Sequence, residues 1–522
     1  MAHNSTKQTY QAWRPSGAWI TVRKAVQYLA LVIFILFFVL SRQRSVNGDI
    51  LNIPMRLDPL LTIAHLFSNR IFLVGSALSL LTLLLTLVFG RAWCGWLCPL
   101  GTVLDLISLD RWRVPDANPP RESWRSVKYY LLLTILFAAL LGNLTLLIFD
   151  PLTILYRTLS ASIWPALDQI VTALERALYQ VPFLSNTVVS FDTWVRPVIL
   201  PTEPVYNRNA LVFAVVFLGI ITLNLAAPRF WCRYLCPLGG LLGLFSKVAL
   251  VRREVIEGCK GCQLCTQVCP TGTINPDLDY SSDSSECTMC LDCLEACPRG
   301  GVAFKARMGR SAWREYDPGR RHAIATLGTA AAGVALLRSL PEFTREPPHL
   351  LRPPGAQGND FLSKCVRCGE CVRVCPSNAL QPAQLEYGSD GVWSPAIVPR
   401  LGYCDYSCRA CGQICPVEAI PALTLEDKRL QVIGKAYIDK NRCIAWGDNQ
   451  ECIVCEEMCP IPDKAIRLEE KQITSGGSTV QIQLPYVERD LCIGCGICEN
   501  KCPVNGEAAI RVYIPGDAGL PF

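Results

Sequence analysis

Histidine is nearly absent, with four in 522 residues: His3, His65, His322 and His349. A membrane cytochrome b needs axial imidazoles, and only His65 lies beside a strongly apolar stretch, so the composition argues against bound haem. Charge is scarce as well. Charged side chains make up 18% of the chain against 51% hydrophobic, which excludes disorder and implies that part of it is not soluble globule. The net charge of +6 is too mild for a nucleic-acid-binding face. No Gly-rich dinucleotide fingerprint follows a strand pattern. There is no flavin attachment signature and no defensible Ser/His/Asp arrangement. Cysteine, by contrast, is abundant, with 28 residues. A length of 522 allows two to four domains and is too long for a small disulfide-stapled secreted fold.

The cysteines fall into patterns with none left over. Four groups read C-x2-C-x2-C-x3-C-P: Cys259, Cys262, Cys265, Cys269; Cys287, Cys290, Cys293, Cys297; Cys365, Cys368, Cys371, Cys375; and Cys492, Cys495, Cys498, Cys502. Two are looser. Cys404, Cys408, Cys411, Cys415 has one extra residue in its first gap, and Cys443, Cys452, Cys455, Cys459 has a first gap of eight. This is the bacterial ferredoxin run for [4Fe–4S] clusters. Three thiolates at i, i+3 and i+6 curl the backbone around a cubane, and the proline after the fourth cysteine turns the chain away. Structural zinc uses well-separated C-x2-C pairs, so zinc and disulfides fit less well. In two-cluster folds the fourth cysteine ligates the other cluster, so six motifs predict six clusters working in pairs.

The last four cysteines, Cys94, Cys98, Cys232 and Cys236, form two C-x3-C-P-L-G motifs, each directly after an apolar run. Residues 25–40, 71–90, 129–149 and 210–227 are apolar and uncharged, and predict four membrane spans. Lysine and arginine number 15 on the side of the cysteine motifs and 8 on the other, which puts the motifs inside. The region is an internal duplication. Arg91-AWCGWLCPLGTVLDLIS and Arg229-FWCRYLCPLGGLLGLFS match at 11 of 18 positions, and Asp58-PLLTIAHLF answers Asp150-PLTILYRTL upstream. A pseudo-twofold along the membrane normal should therefore gather Cys94, Cys98, Cys232 and Cys236 into one site. That site is either a joint redox-metal centre, most simply iron–sulfur, or four packed or paired thiols. Asp58 and Asp150 are expected on the outer side. They serve as helix N-caps, or one takes a proton from a quinol in an apolar groove, with His65 as a further candidate there.

The predicted fold class is a membrane α-helical bundle of four spans in two tandem repeats, plus α+β bacterial-type 2[4Fe–4S] ferredoxin domains. The expected division is a membrane domain over 1–255, a two-cluster ferredoxin domain over 256–305, a linker over 306–360 and a four-cluster polyferredoxin domain over 361–522. The linker carries Arg320-Arg321-HAIATLGTAAAGVALLRSLP, similar to a twin-arginine export signal and a candidate fifth span. As such it would carry residues 341–522 outward. Otherwise it is a short interfacial helix.

Over these motifs the chain resembles two families joined end to end. Residues 20–305 resemble the NapH/MauN membrane quinol dehydrogenase component, with its spans, paired C-x3-C-P motifs and two-cluster tail. Residues 318–515 resemble the exported four-cluster NapG/MauM ferredoxin, through Leu351-RPPGA, Phe361-LSKCVRCGECVRVCP, the stretched Cys443 motif and Cys492-IGCGICENKCP. The resemblance implies a multi-pass inner-membrane protein, its first ferredoxin domain cytoplasmic and its second outside. Electrons would pass from the quinone pool through the clusters to a terminal oxidoreductase such as periplasmic nitrate reductase. Two other readings stay open: cytoplasmic ferredoxin or a dehydrogenase feeding quinone, and an accessory role in maturing a metalloenzyme.

Overall fold

The computed structural model describes residues 18–42, 48–107, 122–201, 205–256, 259–306, 350–358, 360–385, 388–475 and 478–514, with isolated positions at 324, 328 and 331. The twin-arginine-like segment and the expected fifth span lie outside the described residues.

Four apolar helices run between two cysteine-rich blocks. Helix α1, Ala18–Leu40, has 23 residues and carries the one described helix long and apolar enough to cross a membrane. At 1.5 Å per residue it is about 34 Å long. The other three apolar runs form shorter helices: α3 (Leu78–Phe89, entered through a 3-10 turn from Val74), α5 (Val127–Leu140) and α9 (Ala210–Thr222). Part of each run goes into turns. In the 129–149 run, Gly142 takes φ +80° after α5, and residues 145–149 form a separate 3-10 turn.

Two half-length helices, α2 (Pro59–Asn69) and α6 (Pro151–Thr158), fill the space between the long ones. Both begin with Asp-Pro, where the aspartate caps and the proline suits the first helical turn. Asp58 accepts from Leu60 N and Leu61 N, and Asp150 from Thr153 N. A π-turn (Leu159–Ile163) joins α6 to α7 (Trp164–Tyr179), which with α8 (Ser185–Trp194) makes up most of the insertion in the second repeat. After each C-x3-C turn the chain enters another Pro-initiated helix, α4 (Pro99–Leu106) and α10 (Pro237–Ser246).

The first ferredoxin block closes on strands β1 (Val251–Val255) and β2 (Val302–Ala306), antiparallel with Val251 opposite Ala306. Its fold therefore begins before the boundary expected at 256. The second block begins near Leu350, where Leu351 O accepts from Ile397 N, rather than at 361. It holds the pairs β3 (Leu380–Pro382) with β4 (Pro395–Ile397), and β5 (Lys435–Ile438) with β8 (Ile510–Tyr513). A hairpin, β6 (Ile466–Ser475) and β7 (Ser478–Val487), lies between the last two.

The two blocks sit at opposite ends of α1. Arg23 donates to Asp292 of the first block at 3.1 Å, while Arg42 donates to Pro376 O of the second at 3.2 Å. Nineteen residues, all but the last two in α1, separate those anchors by about 28 Å. The other helices agree in direction. Lys128 and Arg91 bond Glu286 of the first block, whereas Asn143 and Asn209 bond Asp390 and Pro382 of the second. Between the blocks, Leu29, Val32, Leu81, Leu84, Leu211, Val215 and Leu218 point outward as an exposed apolar belt. Inside it, one buried apolar cluster runs continuously from Cys94 and Cys232 to Cys365 and Cys371.

Candidate iron–sulfur centres

The four regular motifs share one loop conformation. The residues just before and just after the second cysteine both have positive φ: Gly261 and Gln263, Met289 and Leu291, Arg367 and Gly369, Gly494 and Gly496. Gln, Met, Leu and Arg adopt that region only at a cost, so the turn that wraps the site outweighs residue preference. Three residues beyond the fourth cysteine the chain turns the same way again in three of the regular motifs, at Gly272, Gly300 and Asn378, and at Glu418 after the looser motif's Cys415. The two looser motifs lack the first signature. Arg409 and Ile453, one residue beyond their second cysteines, sit at φ −134° and −117°.

The cysteines ring partly open hollows. One cavity, with about 310 Å³ of empty space, is lined by Cys287, Cys290, Cys293 and Cys269. Another, about 360 Å³, is lined by Cys443, Cys452, Cys455 and Cys502. Each joins the first three cysteines of one motif to the fourth of its partner, the exchange that two-cluster ferredoxins require. The remaining neighbours follow suit. Cys368 and Cys371 face Cys415, Cys411 faces Cys375, and Cys495 faces Cys459. The third motif thus pairs with the fourth, and the fifth with the sixth. The two pairs touch where Cys404 N donates to Cys495 O at 2.8 Å.

These sites fit cubanes chemically. Backbone N–H groups reach the sulfurs, as from Gly301 to Cys297 at 3.1 Å and Ala436 to Cys492 at 3.4 Å. Burial, reinforced by neighbouring thiols, pushes Cys287 and Cys455 up to about 12 and Cys495 up to about 11. Positive iron is the kind of partner that would deprotonate such thiols. Among the described residues, no three His, Cys, Asp or Glu side chains are placed to hold a single metal ion.

The duplication brings Cys94, Cys98, Cys232 and Cys236 together, all buried. Cys98 faces Cys232 and Cys94, and Cys236 faces Cys232, Cys94 and Cys98. Each C-x3-C forms a π-turn, Trp93–Leu97 or Trp231–Leu235, with Cys98 or Cys236 capping the next helix. The pseudo-twofold holds at the level of single bonds. Arg91 donates to Cys232 O at 3.4 Å, and its repeat mate Arg229 donates to Cys94 O at 3.2 Å.

The first ferredoxin block docks directly onto this site. Glu286, beside Cys287, accepts from Lys128 at 2.6 Å and from Arg91 at 3.1 Å, with both cations fully buried. Burial alone would raise the Glu286 carboxyl, but Lys128, Arg91 and Arg125 overcome it and hold it below its ordinary value. A side chain at Gly95 would put its Cβ 2.1 Å from Thr288 O, so glycine is required for this close approach. The sequence reading missed Lys128 and Glu286, although Arg91 and Arg229 were visible at equal places in the repeat.

Asp58 and Asp150 are N-caps as expected, and they lie inside the helical bundle. Both are fully buried, and the turn before α2 is level with the middle of α3, where Thr82 bonds Leu57 O at 2.8 Å. Proline at N1 starts each half-helix deep in the bundle, and α2 runs from there toward the second block. Ser68 at the far end of α2 bonds Ser363 of the second block at 2.6 Å. The two carboxyl groups face each other directly, and Asp58 Oδ2 and Asp150 Oδ1 have no other donor. His65 is buried on α2 with Nε2 unpartnered.

A family described as a 4Fe-4S binding domain matches residues 71–115 and 209–255, the two C-x3-C repeats. A second family of that description matches residues 361–381. Families described as 4Fe-4S dicluster domains match 253–298 and 450–506. Among curated proteins, the methylamine utilization ferredoxin-type protein MauM of Methylorubrum extorquens is 36% identical over 218 residues, 39% of this chain and 92% of its own. The ferredoxin-type protein NapG of Escherichia coli is 37% identical over 193 residues, 35% of this chain and 79% of its own. An uncharacterized protein of Methanocaldococcus jannaschii is 23% identical over 294 residues, 56% of this chain and 92% of its own. No solved structure matches.

Proposed function

The chain belongs to the MauM/NapG family of ferredoxin-type proteins, and from that premise we propose that it is a membrane electron-transfer subunit fed by quinol. It joins a NapH/MauN-like membrane part to the NapG/MauM-like ferredoxin; α1 crosses the bilayer by its own length, and α3, α5 and α9 cross together with the turns that extend them. The observation that carries the reading is the attachment of two cluster-binding blocks to opposite ends of α1. The first block faces the cytoplasm and the second the outside, in keeping with the lysine and arginine bias.

Six cubanes fill the paired sites. In the second block they form a line from the Cys365, Cys368, Cys371 and Cys415 site, against the membrane part, through the Cys404 and Cys492 sites to the Cys443 site. A seventh centre is held by Cys94, Cys98, Cys232 and Cys236, the cysteines of the two matched 4Fe-4S repeats. A cubane supplies one-electron transfer, and its potential responds to nearby charge, hydrogen bonds to sulfur and solvent exposure. The protein's own part is to hold the sulfurs, donate backbone N–H groups to them and exclude water.

In the reaction a quinol loses two protons and two electrons, becoming quinone. The cysteines of the paired sites would hold the clusters that accept these two electrons one at a time, and an outer oxidoreductase would receive them in turn. Asp58, Asp150 and His65 are the candidates to take the protons. A specific observation favours a second partner at the cytoplasmic end: Cys259 and Cys262 are exposed there, open to a soluble redox protein.

The test is anaerobic addition of a reduced menaquinone analogue to the full chain in lipid. Bleaching of the cluster absorbance supports the proposal. Reduction by a soluble ferredoxin but not by quinol would reverse the direction. An accessory maturation role would instead leave quinol-driven reduction intact in Cys94→Ala and Cys232→Ala.

A further inference from the structure

The duplicated half-helices bring together more than their caps. Seven residues beyond Asp58 is His65, and seven beyond Asp150 is Arg157. They are 5% and 2% exposed. Both approach the same loop, that of the third ferredoxin motif. His65 faces Lys364, the residue before Cys365, while Arg157 faces Cys365 and Cys368. A Cβ at Gly369, between Cys368 and Cys371, would stand 2.8 Å from Arg157 Cγ. The membrane part's pseudo-twofold thus frames a cluster site that belongs to the other block.

Arg157 is rigidly held. Its Nε donates to Thr153 O at 3.1 Å, its Nη2 donates to Ile148 O at 2.8 Å, and its guanidinium lies 4.5 Å from the Trp393 ring centre. Nη1 has no acceptor. Its charged neighbours are Asp150, Arg367 and the thiols of Cys365 and Cys368. Arg367, buried, and Arg352, half-buried, also face Cys365, so guanidinium groups gather around this site. A carboxyl group stands at the matching place in both blocks, Glu370 beside Cys368 and Asp292 beside Cys290.

We propose that the centre of Cys365, Cys368, Cys371 and Cys415 is where electrons leave the membrane part, and that Arg157 tunes it. An electron added to a cubane adds one negative charge. A fixed guanidinium in a poorly screened interior stabilises that charge and raises the reduction potential. The site then becomes the first acceptor in the second block, while the Asp58–Asp150 pair beneath it receives a proton. The direction of flow rests on the quinol-fed reading. The tuning does not, because it is measured without quinol.

The experiment is a mediator-poised redox titration of the full chain in lipid, followed by electron paramagnetic resonance, with Arg157→Gln and Arg157→Lys beside wild type. Arg157→Gln should make one cluster about tenfold harder to reduce, equivalent to about 59 mV, and leave the others in place. Arg157→Lys keeps the charge but not the fork of hydrogen bonds, and should stay close to wild type. The proposal is overturned if Gln moves no cluster, if it moves several equally, or if Lys shifts as far as Gln. Should Gln lose iron, Lys decides alone: a wild-type potential supports tuning, and a tenfold shift overturns it. Loss of the cluster from both variants makes Arg157 a packing residue and also overturns it. If the Gln shift appears while quinol reduces nothing in wild type, the tuning stands and the donor assignment falls.

Discussion

Replacing Glu286 with alanine should undock the first ferredoxin block from the helical bundle. Glu286 is 3% exposed and is the acceptor shared by two cations, Lys128 and Arg91, each at 0%. Burying an ion pair is close to neutral in net energy, but removing one partner strands the other charge, which costs about 3–5 kcal/mol. Here one deletion strands two cations, so the upper end applies, and a domain's whole stability is about 5–15 kcal/mol. Arg91 also bonds Cys232 O, so the damage reaches the four-thiol site. Because the native carboxyl lies below its ordinary 4.5, its contribution is complete above that value and is lost as pH falls through the lower folded value. The assay is thermal unfolding with limited proteolysis near residues 247–258, on Glu286→Ala, Glu286→Gln and wild type at pH 7 and pH 4. Glu286→Ala should melt markedly lower and be cut rapidly, with Glu286→Gln between it and wild type. An Ala variant within about 1 kcal/mol of wild type would refute the claim that this triad holds the interface.

Three further outcomes follow from the geometry. Cys502→Ala should strip the cubane ringed by Cys443, Cys452 and Cys455 before that of its own motif, read as loss of one cluster signal and about four irons. Gly95→Ala, with its Cβ 2.1 Å from a backbone oxygen, should weaken docking of the first block by about 1–3 kcal/mol, checked by the same proteolysis. Asp58→Asn with Asp150→Asn keeps the caps' shape but removes the shared acid, so quinol-driven reduction should slow at least tenfold while dithionite still reduces every cluster.

The cysteine chemistry was legible because it is local. Spacing within ten residues dictates the loop, and the crossed fourth ligand is a property of the motif rather than of the docking. The positive φ at Gln263, Met289, Leu291 and Arg367 could not be read, since none is a residue that prefers it. The repeat was visible, and so was the meeting of its four thiols. Its depth was not. Hydropathy counts apolar residues whether they sit in a helix or in a turn, which is why 129–149 reads as one span while α5 stops at Leu140. Asp58 and Asp150 read as caps, but a sequence shows a cap and not the level at which its helix starts. Glu286 and Lys128 are 158 positions apart, and no periodicity connects them.

The proposed function requires the two cluster blocks to lie on opposite faces of a membrane. Protease accessibility in sealed, oriented vesicles tests that directly. Residues 350–514 should be cut only from the outer side and residues 259–306 only from the cytoplasmic side. Cleavage of both blocks from the same side would contradict the account.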